Sequence, residues 1–241
     1  MIHVENISYT YPDGNRALID VSIDIEEGST VAVVGANGAG KSTLLALLAG
    51  IFSAKEGAIE IAGIPVKKDN LEEIRRKVGF VFQNPDDQLF MARVYDDIAF
   101  GPRNFGHSAE ETTEMANRAV EKMKIGHLIN RAPHKLSGGE KRNVAIAAVL
   151  AMNPEVLLFD EPSSYLDPKS RRNFIQAMGT LDHTKVIATH DLDLVLDLCE
   201  RVIILKEGRI FADGKPMDLF SNGELMEESG LEIPLSLQNR A

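Results

Sequence analysis

Nine residues, GANGAGKST at 35–43, constrain this chain more than any other stretch. They fit G-x-x-x-x-G-K-[ST] and sit between TVAVVG (30–35), apolar throughout as in a strand covered on both faces, and the helical run LLALLAG. Strand, glycine loop and helix in that order suit a polyphosphate. The glycines let the backbone of Gly35, Ala36, Asn37, Gly38, Ala39 and Gly40 curl so that successive N–H groups face phosphate oxygens. Lys41 adds positive charge near the β and γ phosphates, the Ser42 hydroxyl can ligate Mg²⁺, and Thr43 completes the motif. The competing reading, a glycine turn that matches by chance, is made remote by the correct flanks.

A phosphate loop needs an acid on the metal side. EVLLFDEP supplies Asp160 at the end of an apolar strand, placed to hold Mg²⁺ through water, and Glu161 follows directly. A glutamate there can orient and polarise the attacking water, although most glutamates are solvated loop acids. The carboxyl end of a buried strand is where ligands bind in such sheets.

The rest of the chain supports an α/β architecture. ALIDVSIDI alternates Val21, Ile23 and Ile25 with polar residues, the period of a half-buried strand, and EGAIEIAG behaves the same way. EVLLFD, KVIAT and RVIIL read as buried parallel strands. From about 86 to 152 the pattern turns helical: Ser108 and Glu111 form a capping box, and Met115, Ala119 and Met123 recur at helical spacing. We read one domain over 1–241: a core with a β subdomain (about 1–85 and 153–220), a helical subdomain (about 86–152) and a tail (about 221–241). With 26 Lys and Arg against 36 Asp and Glu the net charge is −10, which argues against nucleic acid as a partner. The lone cysteine, Cys199, has no internal partner, the start lacks a signal-peptide pattern, and no apolar run is long enough to span a membrane.

A second glycine site stands about a hundred residues after the first. In KLSGGEKRN, Ser137 can cap a helix beginning near Gly138, and glycine N–H groups at that positive end suit a phosphate. Alone, the triplet is a weak signal. LSGGE, then LLFDEP, SSYLD and THD together resemble the ATPase subunits of ABC transporters over nearly the whole chain. The resemblance implies an α/β P-loop NTPase core, RecA-like with a mainly parallel sheet, an N-terminal antiparallel β subdomain and an inserted helical subdomain. It also implies two copies paired head to tail, in which Ser137, Gly138, Gly139 and Glu140 close on the γ-phosphate held by the other copy. The second site then serves the partner's ATP.

Other family positions carry over singly. Tyr11 stands where the family stacks an aromatic on adenine, unless it is simply a strand tyrosine. Gln83 in FVFQNPDDQ matches the glutamine that reaches Mg²⁺ and the attacking water and opens the loop facing the membrane partner. His190 matches the histidine that contacts the γ-phosphate and helps position Glu161, and Asp167 the acid that reaches across the dimer seam. Two positions depart from the pattern. Glu140 replaces the usual Gln, a charge change that weakens polyphosphate binding unless Lys141 or Arg142 offsets it. Tyr165 replaces a small residue in a segment expected against the partner.

FQNPDDQLFMARVYDDIAFGPRNFG and the tail SGLEIPLSLQ look like energy-coupling factor importers, the group that takes up cobalt, nickel and vitamins. On that likeness VYDDIAF is a short helix offering Val94, Ile98 and Phe100 to a membrane subunit, unless these residues fill the lobe's own core. The expected protein is an ATPase at the cytoplasmic face of the membrane, peripheral, joined to integral membrane subunits and to a second ATPase subunit, identical or related. It makes no contact with the transported substrate, and Mg²⁺ is its one cofactor. Two other classes stay open: a soluble ABC ATPase outside transport, and a nucleotide-binding adaptor with little turnover.

Overall fold

Alternating apolar residues make the first two strands, with a shift of register in the earlier one between Val4 and Ile7. β1 (Ile2–Thr10) buries Ile2, Val4 and Ile7, and β2 (Arg16–Ile25) buries Val21, Ile23 and Ile25. They pair antiparallel with Ile2 opposite Ile25 and Val4 opposite Ile23, so the apolar teeth share one face. β3 (Thr30–Val34) is buried at all five positions and leads through the glycine loop into α1 (Lys41–Leu48). β4 (Glu56–Ile61) joins the free edge of β1, β5 (Ile64–Pro65) follows it, and α2 (Leu71–Lys77) ends this stretch. The resulting antiparallel sheet has the order β2-β1-β4-β5.

The structure, a computed structural model, describes residues 1–238; the last three residues of the expected tail lie outside them. Contacts divide the chain into two units, Met1–Arg75 with the chain from Asp182 onward, and Arg76–Leu181.

The middle unit begins with β6 (Val78–Val81), continues through α3 (Val94–Asn104), α4 (Ala109–Lys122) and α5 (Gly138–Leu150), and ends with β7 (Val156–Asp160) and α6 (Pro168–Gly179). β6 and β7 pair in parallel, with Val78 beside Val156 and Val81 beside Phe159. The capping box of Ser108 and Glu111 starts α4 in the structure, each side chain receiving a hydrogen bond from the other's backbone N–H. One expectation needs correcting here. Val94 and Ile98 are fully buried in the unit's own core and are not offered to a partner; Phe100 is exposed, edge to face with exposed Phe90 at 5.0 Å.

The chain returns to the first unit with β8 (Thr184–Ala188), α7 (Leu192–Leu198), β9 (Arg201–Lys206) and β10 (Arg209–Gly214). In this unit β3 lies between β8 and β9, parallel to both, and β10 closes the edge as an antiparallel hairpin. The segment after it forms α8 (Pro216–Phe220), α9 (Gly223–Ser229) and α10 (Leu235–Gln238). Its apolar residues pack inward: buried Phe220 and Met226 join Ala32, Val34, Val195, Val202 and Ile204, with Leu219, Leu225, Leu231 and Ile233 against them. Cys199 packs against the same cluster, and burial pushes its thiol up to about 12.

Candidate active site

The phosphate loop owes its shape to its glycines. Gly40, the residue before α1, has φ of 106°, and a Cβ there would lie 2.5 Å from the Ala17 carbonyl oxygen. Gly35 has φ of 153°, and a Cβ there would run into the carbonyl oxygen of Leu205. Only glycine fits either place. The curl is held from inside and outside: Ala39 N–H donates to Ala36 O at 3.1 Å, and Gly208 N–H donates to Ala39 O at 3.2 Å. Ala36, Asn37 and Gly38 form the exposed rim, while Lys41 is buried. The Lys41 ammonium donates to Gly35 O at 2.7 Å and Ala36 O at 3.2 Å, so it bridges the mouth of the loop it belongs to. Ser42 is exposed on the first turn of α1.

Tyr11 lies beside this loop. Its hydroxyl is 2.9 Å from Thr43 Oγ1, and its ring meets Tyr9 and Phe52 edge on at 5.2 and 5.8 Å. His190 stands exposed two residues beyond β8, in a turn whose next residue, Asp191, caps α7 by accepting from Leu194 N–H at 2.8 Å.

In the middle unit, β7 ends at half-buried Asp160 and passes directly to Glu161. Glu161 is buried and held at φ of 45°, a left-handed conformation costly for a side chain with a Cβ, and its carbonyl accepts from Ser164 N–H at 3.2 Å. Tyr165 also takes a left-handed turn, with φ of 64°, and is 87% exposed. Asp167 caps α6: it accepts from the N–H groups of Lys169 and Ser170 and from the Ser170 hydroxyl at 2.7 Å. Those bonds, the hydroxyl's first, hold its carboxyl below the ordinary aspartate range.

The signature turn is a regular helix start. Ser137 caps α5 through Glu140 N–H, and Glu140 accepts from the Ser137 N–H at 2.8 Å and its hydroxyl at 2.9 Å. These bonds, led by the backbone one, hold the Glu140 carboxyl below the usual glutamate range. Gly139 lies against α6, since a Cβ there would sit 2.5 Å from Ser170 Oγ; Gly138 approaches the Tyr165 carbonyl. The turn and the 163–167 segment are thus neighbours. Neither Lys141 nor Arg142 pairs with the Glu140 carboxylate in the structure. Arg131 is its nearest cation, at 3.7 Å, while Lys141 pairs with Asp86 at 2.6 Å and Arg142 turns inward to the Gln83 loop. That last link was not foreseen, and no local pattern announces a contact between residues sixty positions apart.

The ABC transporter family profile matches residues 18–164. A putative ABC transporter ATP-binding protein of Geobacter sulfurreducens is 50% identical over 99% of this chain and 96% of its own length. The energy-coupling factor transporter ATP-binding protein EcfA of Methanothermobacter thermautotrophicus is 44% identical over 97% of this chain and 77% of its own. Among solved structures, cbiO1 of Clostridium perfringens, part of the ABC transporter complex cbiONQ, superposes with a TM-score of 0.83 at 37% identity, covering 94% of this chain and 93% of that one.

Proposed function

The chain belongs to the ABC transporter family and is an ATPase, and from that premise we propose that it powers an energy-coupling factor importer, for cobalt, nickel or a vitamin, by closing head to tail on a second ATPase subunit. The likeness to EcfA and to cbiO1 supports the importer class. The observation that carries the pairing is the build of the signature turn. Its backbone N–H groups stand at a helix start with no curled loop around them, so they suit a phosphate cradled elsewhere.

In this reading Gly35 to Thr43 hold the triphosphate, Lys41 places its charge at the β and γ phosphates, and Tyr11 packs on the base. Glu161 takes the proton-accepting role toward the attacking water, Gln83 orients that water, and His190 contacts the γ-phosphate. Ser137, Gly138, Gly139, Glu140 and Asp167 face the partner's nucleotide. Mg²⁺ fits the donor set. The described residues contain no cluster of three or more His, Cys, Asp or Glu that could cage a metal, and Ser42, Gln83 and Asp160 are hard oxygen donors of the kind Mg²⁺ takes beside phosphate and water. When bound, it neutralises charge on the β and γ oxygens.

No helix among the described residues is long and apolar enough to cross a membrane, so work at the cytoplasmic face calls for integral membrane partners. The exposed Phe90–Phe100 pair, close to the Gln83 loop in sequence, is the surface we assign to them. The test is co-purification from native membranes together with Glu161→Gln. We expect an integral membrane protein to accompany the chain, turnover to fall by about 10²–10⁴-fold, and ATP to hold the variant as a stable dimer. Wild-type turnover in that variant would remove Glu161 from its role.

A further inference from the structure

Arg142 is the bulkiest of the fully buried side chains, 1% exposed, and a buried cation is costly unless its hydrogen bonds are met. Its partners are backbone carbonyls: Nη1 donates to Phe82 O and Nη2 to Gln83 O, each at 2.5 Å, while Nε has no partner among the described residues. Burial pushes the guanidinium down to about 10, opposed by the charge of Asp160, so it remains cationic at neutral pH. Two weaker ties run the same way. The Gln88 amide donates to Ala145 O at 3.0 Å while its oxygen accepts from Phe82 N–H at 3.3 Å, and Lys141 reaches Asp86. The loop from 82 to 88 is therefore fastened to α5 within two turns of Gly138 and Gly139.

We propose that Arg142 is the positioning residue that couples the two ATP sites of the dimer. By gripping consecutive carbonyls it makes the signature turn and the Gln83 loop one body. Closure of Gly138 and Gly139 on the partner's nucleotide then sets Gln83 in the protomer's own site. The inference rests on the reading of Gln83 given above. The grip needs a planar fork: two acceptors on adjacent residues match the two terminal nitrogens of a guanidinium, whereas a lysine presents one compact ammonium.

The test is a double-mutant cycle on the full-length dimer, with Arg142→Lys and Gln83→Ala singly and together. Arg142→Lys should lower kcat about tenfold with KM for ATP within about twofold, and lower the Hill coefficient for ATP below that of the wild type. In the Gln83→Ala background the same change should cost less than about twofold, because the group it acts through is gone. Equal losses in both backgrounds, or a kcat loss with the Hill coefficient intact, would overturn the coupling role while leaving Gln83 in place. Wild-type turnover in Gln83→Ala would instead remove the reading on which the proposal stands. Arg142→Met is the stronger perturbation; should it fail to fold, the lysine variant still decides the question.

Discussion

In the loop at 35–43, Gly35, Gly38 and Gly40 all take positive φ, whereas Gly138 and Gly139 lie in the regular first turn of α5. The first set is there for backbone conformation. The second is there for thinness, since a Cβ at Gly139 would run into Ser170 and, among the described residues, one at Gly138 would meet only the Tyr165 carbonyl. One glycine turn makes a pocket of its own backbone; the other presents a bare, capped helix end. Two stretches that match the same phosphate-binding chemistry on paper thus differ in build, and under the proposed function the first serves as cradle and the second as cover.

Substitutions that hit one turn and spare the other sharpen this contrast. Gly139→Val pushes a side chain toward Ser170 and over the signature N–H groups. Turnover should fall about 10³-fold while a solitary protomer binds ATP as before, which a phosphate-release assay beside fluorescent-nucleotide titration would show. Gly40→Ala should act on binding itself. Its Cβ meets backbone that cannot step aside, and we expect ATP affinity of the single protomer to fall about 100-fold, with stability lowered by roughly 1–3 kcal/mol, read by calorimetry. If Gly139→Val weakened ATP binding by the single protomer as much as Gly40→Ala does, the division of labour would be wrong.

Smaller effects are expected at the two departures from the family pattern. Glu140→Gln keeps an acceptor for the Ser137 N–H but loses the charge at the positive end of α5, costing no more than about 1 kcal/mol. Because the Glu140 carboxyl is held below the ordinary range, its contribution is fully present above the unfolded glutamate pKa, about 4.3, and fades as pH falls through the lower folded value. The melting-temperature gap between wild type and Glu140→Gln should therefore close on acidification below about pH 4. Tyr165→Ala should change stability least, by less than about 0.5 kcal/mol, since its ring is almost wholly in solvent. A larger loss on chemical denaturation would mean that the ring has a packing role.

What the sequence made legible follows from periodicity and local chemistry. Alternation marked β2 and β4, unbroken apolarity marked β3, β7, β8 and β9, and the Ser108–Glu111 and Ser137 caps were readable because their bonds span three residues. What it hid is direction. VYDDIAF was readable as a helix, yet the same spacing serves a core or a docking face, and Val94 and Ile98 went to the core. The directions of Lys141 and Arg142 were hidden too, since neighbours one and two positions on from Glu140 do not share its helix face. Arg131, from the loop before the helix, and the carbonyls of Phe82 and Gln83 could be found only once the chain was folded.

The single cysteine turns the docked end of the chain into something that can be timed. The Cys199 thiol lies against the patch that Phe220 and Met226 cover, and its thiolate is scarce at neutral pH. Alkylating reagents should therefore react slowly with this partly buried thiol, and faster whenever the cluster it packs against loosens. A labelling rate followed by mass spectrometry would then report on the looseness of the cluster that Phe220 and Met226 help to form, with no engineered probe.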